Sequence, residues 1–193
     1  MAASSLNDVD WSALPAPEDD GAAAHLAGRA MPSIALPATD GGAVDLSTCA
    51  GLCVVYAYPK TGQPGTALPD GWDDIPGARG CTPQSCAFRD HADELGGLGV
   101  THLYGLSTQD TAWQSEAAGR MHLPFRLLSD ADLALTRALD LPTFEAGGET
   151  LLKRFTLIIE DGRIAHVFYP VFPPDQNAAD VIAWLAHRTQ RAR

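Results

Sequence analysis

The chain has 193 residues, 46% of them apolar, which suffices for one domain with a substantial core. Its 24 acidic and 13 basic residues give a formal charge of −11, an excess that argues against nucleic acid or an anionic membrane as partner. No run of about 18 apolar residues is present, so no membrane span is expected. The stretch from Met1 to Asp10 lacks the positive and apolar regions of a signal peptide, and a cytoplasmic location is expected by default.

Residues 1–30 are rich in Ala, Asp, Pro and Ser and read as a partly ordered extension, broken at Leu14 to Gly21, with Trp11 available to dock. The remainder, 31–193, reads as one domain. A hairpin is expected over Ser33 to Leu46, turning at Asp40-Gly41-Gly42. Leu52 to Tyr58 is continuously apolar and β-branched, the pattern of a central strand buried on both faces, and Pro59 ends it. Residues 61–79, with four glycines and three prolines, form a long insertion loop. A helix is then expected over Pro83 to Leu98, with Phe88, Ala92 and Leu95 on its buried face. Strands at Val100 to Leu106 and Pro124 to Leu128 alternate with helices at Asp110 to Met121 and Ala131 to Leu139. The hairpin Phe155–Ile159/Ile164–Tyr169 turns at Asp161-Gly162, and an amphipathic helix over Asp175 to Arg188 closes the chain. This order fits an α/β architecture, a mixed sheet covered by helices.

The chemistry concentrates at Gly80-Cys81-Thr82-Pro83-Gln84-Ser85-Cys86. Gly80 or Thr82 suits a helix cap and Pro83 a first helical position, which places Cys81 at the amino end of the helix. A thiol there is stabilised as its anion by unpaired amides and the helix dipole, the setting of a reactive thiolate. Four cysteines are too few and too clustered for a disulfide scaffold, and a metal site needs more ligands than Cys81, Cys86 and scattered histidines supply. Neither metal nor cofactor is expected. Cys53, inside the apolar strand, reads as a small buried hydrophobe. A Cys49–Cys53 bridge would need a bent segment, because four strand residues span about 13 Å.

Tyr58-Pro59-Lys60 followed by Gly80-Cys81-Thr82, Cys86 and Phe88-Arg89-Asp90 resembles the active-site signature of the peroxiredoxins, with the Q type (bacterioferritin comigratory protein) as the nearest subgroup. The resemblance extends through Gly105-Leu106-Ser107, Pro124 to Asp130 and Arg154 to Ile159. It implies a thioredoxin-like fold and a thiol peroxidase acting on hydrogen peroxide and organic hydroperoxides, monomeric or weakly dimeric, and recycled by a thioredoxin- or glutaredoxin-like reductant. By the same resemblance Cys81 is the peroxidatic cysteine and Cys86 the resolving one. Arg154 is the arginine aimed at thiolate and peroxide, and Pro59 the proline that shields the pocket. The family threonine three residues before the peroxidatic cysteine is replaced by Ala78, with about 15 extra residues between Lys60 and Cys81; Thr66 or Thr82 is the candidate substitute. The competing expectation is a redox-sensing or dithiol-disulfide module on the same fold, with weak or lost peroxidase activity. Two Cα atoms five residues apart on a helix lie about 8–9 Å apart, beyond the roughly 7 Å a disulfide spans. Pairing of Cys81 with Cys86 therefore requires the helix to unwind.

Overall fold

The structure, a computed structural model, describes residues 9–191. A five-stranded mixed sheet forms the centre of the fold. Strand β3 (Leu52–Ala57) occupies the middle, parallel to β4 (Val100–Ser107) and antiparallel to β8 (Phe155–Glu160). From Cys53 onward every β3 side chain is buried, as its unbroken apolar run requires. Strand β5 (Leu127–Ser129) extends one edge in parallel, and β9 (Arg163–Phe168) closes the other as the hairpin partner of β8. The hairpin turns where Asp161 (φ 46°) and Gly162 (φ 73°) both enter the left-handed region, as the Asp-Gly pair predicts. The N-terminal hairpin, β1 (Ala35–Pro37) with β2 (Ala43–Asp45), also falls where expected.

The alternation of β3 divides the core. Cys53, Val55 and Ala57 face one cluster, with Leu106, Leu128, Phe155 and Leu157. Val54, Tyr56 and Tyr58 face the other, with Cys81, Phe88, Leu95, Val181 and Leu185. This second layer is built by α1 (Cys81–Asp90), α2 (Ala92–Gly97) and α5 (Asn177–Arg191). The single helix expected from Pro83 to Leu98 is two helices, broken at His91 (φ −102°, ψ 7°), and it starts at Cys81. Phe88 and Leu95 remain fully buried on either side of the break. Helices α3 (Thr111–Arg120) and α4 (Ala134–Leu139) complete the set.

One element went unforeseen. Strands β6 (Thr143–Ala146) and β7 (Glu149–Leu152) form a hairpin across Gly147-Gly148, both at positive φ. Its Leu151 and Ala146 pack with Trp72 and Ala78 into a satellite core beneath the insertion. The described part of the N-terminal segment also packs on the domain. Leu26 and Ala23 are buried in the main core. Asp20 accepts hydrogen bonds from Lys153 Nζ and Tyr169 Oη, both at 2.6 Å.

Candidate active site

Cys81 stands at the first position of α1, where the chain leaves the insertion through Gly80. Gly80 has φ 111°, a conformation that side-chain-bearing residues seldom adopt, and it aims the turn 77–79 back beneath the helix. Cys81 is buried, with 4% of its surface exposed. Its sulfur lies 3.3 Å from Arg154 Nη2 and 3.7 Å from the Ala78 carbonyl. Arg154 comes from the end of the chain that leads into β8, so β3's antiparallel pairing with β8 brings these two distant residues together.

Arg154 is itself buried, at 3% exposure, and its guanidinium is held from several sides. Nη2 faces the carbonyls of Gly77 (3.3 Å), Ala78 (3.2 Å) and Arg79 (3.3 Å) as well as the sulfur. Nη1 donates to Gln84 Oε1. Gln84 in turn donates through Nε2 to Asn177 Oδ1 at 2.9 Å, which also accepts from Thr156 Oγ1 at 2.7 Å. Gln84, Asn177 and Thr156 are all essentially inaccessible. The chain of amides thus ties α1, α5 and β8 to one guanidinium and fixes its plane toward Cys81. Sequence reading missed Gln84 and Asn177. Gln84 lies three residues after Cys81 and so one helical turn along the same face, which is a weak pointer; nothing near Asn177 betrays its partner.

Replacing Gln84 by leucine leaves Arg154 Nη1 without its buried acceptor and removes one of the two donors to Asn177 Oδ1, a defect of about 1–3 kcal/mol. The expected result is a roughly tenfold lower kcat/KM for peroxide with little change in KM, read by peroxide consumption. Asn177 acts only through Gln84, so Asn177→Ala should give a smaller loss in the same direction.

Above Cys81 lies a cavity of about 660 Å³. Its walls are Thr82 and Pro83 of the helix start, Lys60, insertion residues such as Thr66, Leu68 and Trp72, and Trp11 from the N-terminal segment. Trp11 is placed there by a 2.9 Å hydrogen bond from Nε1 to Asp175 and an edge-on contact with Phe172. Lys60 is paired with Glu149 at the tip of the β6–β7 hairpin. The insertion therefore roofs the site. Ala78 is fully buried against Trp72 and Leu151, an apolar environment in which its methyl is satisfied and a hydroxyl would need a partner. Among the described residues the backbone amides of Cys81 and Thr82 donate to no protein acceptor. They, with the Thr82 and Thr66 hydroxyls, are donors at the cavity beside the side chains of Lys60, Arg79 and Arg120. Pro59 is buried at the end of β3 and does not reach the cavity wall, which at that corner is formed by Lys60.

Cys86 lies on the same helix, half-buried, and both thiols are free. Burial pushes the Cys86 thiol up, against the opposing pull of Arg89. Arg89 is anchored to Asp90 at 2.8 Å and to the Met121 carbonyl at 2.8 Å. What the arrangement offers chemically is one sulfur fixed beside a cation at a helix amino end, open to a roofed cavity, with a second sulfur held as a thiol on the same helix.

Residues 26–182 match the family described as Redoxin. The peroxiredoxin Bcp of Escherichia coli is 34% identical over 164 residues, covering 82% of this chain and 94% of its own. The chloroplastic peroxiredoxin Q of rice (japonica) is 31% identical over 160 residues; the match takes in 82% of this chain but only 65% of the rice protein. Among solved structures, the peroxidoxin BcpB of Mycobacterium tuberculosis superposes with a TM-score of 0.67 at 25% identity, over 84% of this chain and 97% of that one. The likeness includes the central mixed sheet and the thioredoxin-type fold. The chain belongs to the redoxin family, within the peroxiredoxins of the Q/Bcp type.

Proposed function

We propose that the protein is a thiol peroxidase reducing hydrogen peroxide and organic hydroperoxides, with Cys81 as the peroxidatic and Cys86 as the resolving cysteine. The observation that carries this is the Arg154 guanidinium 3.3 Å from Cys81 Sγ, with Cys81 itself in the wall of the roofed cavity. The Cys81 thiolate attacks one peroxide oxygen; an S–O bond forms, the O–O bond breaks, and water or an alcohol leaves after taking up a proton. Arg154 and the free amides at the helix start hold the negative charge as it passes to the departing oxygen. The Cys86 thiol then attacks the sulfenic sulfur, expelling water and forming an intrachain disulfide. A dithiol protein of the thioredoxin or glutaredoxin type restores both thiols, which suits a cytoplasmic setting. No helix among the described residues is long and apolar enough to cross a membrane. The apolar faces of the helices are consumed within the fold, in keeping with a monomer or weak dimer.

The Cys81 and Thr82 amides, left without protein acceptors, and Arg154 beside the sulfur are the donors that would serve the peroxide in place of a hydroxyl at Ala78. The roof of residues 61–79 gives the cavity room for an organic hydroperoxide as well as for hydrogen peroxide. Thr82 is proposed to contribute to peroxide binding through its amide and hydroxyl, and Pro59 to pack behind the pocket without touching the substrate.

The test is a thiol titration. One equivalent of peroxide should consume both the Cys81 and the Cys86 thiol, located by peptide mapping, and Cys86→Ser should instead accumulate a sulfenic acid trapped by dimedone. A wild type that consumes peroxide no faster than a free thiol would leave the dithiol-sensor reading standing and refute this one.

A further inference from the structure

Cys49 and Cys53, the cysteines that the proposed cycle leaves unused, meet on the opposite face of the sheet. Cys53 points into the core cluster shared with Val55 and Ala57, whereas Cys81 packs with Val54, Tyr56 and Tyr58 on the other side. The sheet therefore separates the two pairs of sulfurs, and neither Cys49 nor Cys53 can exchange with Cys81 in the folded chain.

The segment between them is bent. Cys49 ends a single turn of 3-10 helix, Leu46–Thr48, and Gly51 takes φ 76°. The bend is pinned from outside: Gly51 N donates to Asp161 Oδ1 at 2.8 Å, and Asp161 N donates to the Gly51 carbonyl at 3.0 Å. The pairing of β3 with β4 also shifts register between Leu52 and Cys53. Where a straight strand would hold the two residues about 13 Å apart, the fold turns the chain back and buries both side chains in one core cluster, the Cys49 thiol also facing the Asp45 carbonyl at 3.9 Å.

The two sulfurs are unequal. Cys53 is wholly buried and keeps its proton, its thiol pushed well up by the contact with Cys49 and by burial. Cys49, 9% exposed, is the less buried member. The nearby Cys53 thiol is the largest influence on it and draws its thiol down to about 7, against burial and the Asp45 charge and with help from Arg126. The less buried sulfur, drawn toward ionisation, shares a core cluster with a fully buried sulfur that retains its proton, the division of labour of an attacking and a resolving thiol.

We propose that Cys49 and Cys53 are a second redox-active dithiol, oxidised by hydroperoxide to an intrachain disulfide without the participation of Cys81 or Cys86. From the proposed function it takes only the class of oxidant. The Cys49 thiolate attacks a peroxide oxygen, giving Cys49 sulfenic acid and, after protonation, water or an alcohol. Cys53 sulfur then displaces the hydroxyl group, which leaves as water with the Cys53 proton, and the S–S bond forms. Two thiols lose two electrons in all and one peroxide gains them. The disulfide would lock the turn at 46–48 onto the central strand.

The test uses the full chain carrying Cys81→Ser and Cys86→Ser, with the native pair left in place and its circular dichroism matched to wild type. After hydrogen peroxide, and separately after diamide, the protein is denatured in N-ethylmaleimide and weighed intact. The expected result with either oxidant is loss of both alkylatable thiols and of a pair of hydrogens, reversed by dithiothreitol, with a Cys49–Cys53 peptide in the digest. Adding Cys49→Ser should leave Cys53 fully alkylatable after the same treatment. Two alkylated cysteines after peroxide, a Cys49 sulfinic acid beside a free Cys53, a disulfide between two chains, or pairing by diamide alone would each overturn the proposal. Because the active-site sulfurs are absent from the test protein, a failure here is separate from a failure of the peroxidase reading, which is judged on wild type.

Discussion

Replacing Arg154 by methionine is expected to slow peroxide consumption, measured as kcat/KM, by about a hundredfold to a thousandfold, the usual effect of removing one aligned donor from a developing negative charge. Methionine keeps much of the side chain's length and apolar bulk, so the change removes chiefly the charge and its hydrogen bonds. Arg154 is 3% exposed, and at that burial its interaction with the sulfur is little weakened by water or salt. The variant also strips a partner from Gln84 and from the carbonyls of residues 77–79. A stability loss of about 1–3 kcal/mol therefore accompanies the kinetic one, and rates must be taken well below the variant's own melting temperature. Arg154→Lys separates charge from geometry. An ammonium supplies the charge as a point but cannot face three carbonyls, a sulfur and an amide in one plane, so an intermediate loss is expected, about tenfold. If methionine cost less than threefold, the contact between guanidinium and sulfur would be incidental to the chemistry.

Why Arg154 and Cys81 were legible while their supports were not follows from where each signal lies. Cys81 sits in a dense local pattern: a glycine, a cap, an N-terminal proline and a second cysteine within six positions. Arg154 is conspicuous as a charged residue adjoining the apolar run of a strand. Strand β3 is announced by its β-branched composition, and the β8–β9 turn by Asp161-Gly162. By contrast, Gln84 and Asn177 become partners only because α5 packs beside α1, a tertiary fact with no local trace. Trp11 reaches the cavity by a hydrogen bond to a residue 164 positions away. The β6–β7 hairpin did carry a local sign, the Gly147-Gly148 pair, but its strands are four residues each and their alternation is too short to stand out.

The substitution at Ala78 illustrates how an insertion can rewrite a site's chemistry. Trp72 and Leu151 close over Ala78, converting the position three residues before Cys81 from one that could hold a hydroxyl into part of a small apolar core. In the proposed peroxidase cycle, the polar duty at the sulfur would then rest with the guanidinium and the helix's own amides. These are fixed by the backbone and by a buried hydrogen-bond chain, and they depend less on a single side-chain rotamer.

Gly80→Ala should be among the most damaging single changes outside the reacting residues themselves. Gly80 has φ 111°, strained for alanine at a cost of about 1–2 kcal/mol. Its added methyl would also lie 2.9 Å from Trp11 Cη2 and 3.1 Å from Pro174 Cβ, and closer still to Pro174 Cγ. Proline is rigid and Trp11 is held by Asp175, so neither gives way easily, and overpacking of this kind adds about 1–3 kcal/mol. The expected total is a destabilisation of about 2–5 kcal/mol, read from the denaturant midpoint. Gly65→Ala is the control: its φ of 78° carries similar backbone strain, but its methyl would meet nothing within 4 Å. It should cost about 1 kcal/mol. The excess at Gly80 therefore reports chiefly the clash, with a smaller part from a φ further outside the left-handed region. Relief of that clash moves the turn 77–79 and with it Cys81, so peroxide turnover should fall at least tenfold even where the variant is fully folded. Trp11→Ala combined with Gly80→Ala should recover part of the lost stability, giving a favourable coupling between residues 69 positions apart in sequence. A Gly80→Ala protein within about 0.5 kcal/mol of wild type, with unaltered turnover, would mean that neither Pro174 nor Trp11 constrains the start of α1.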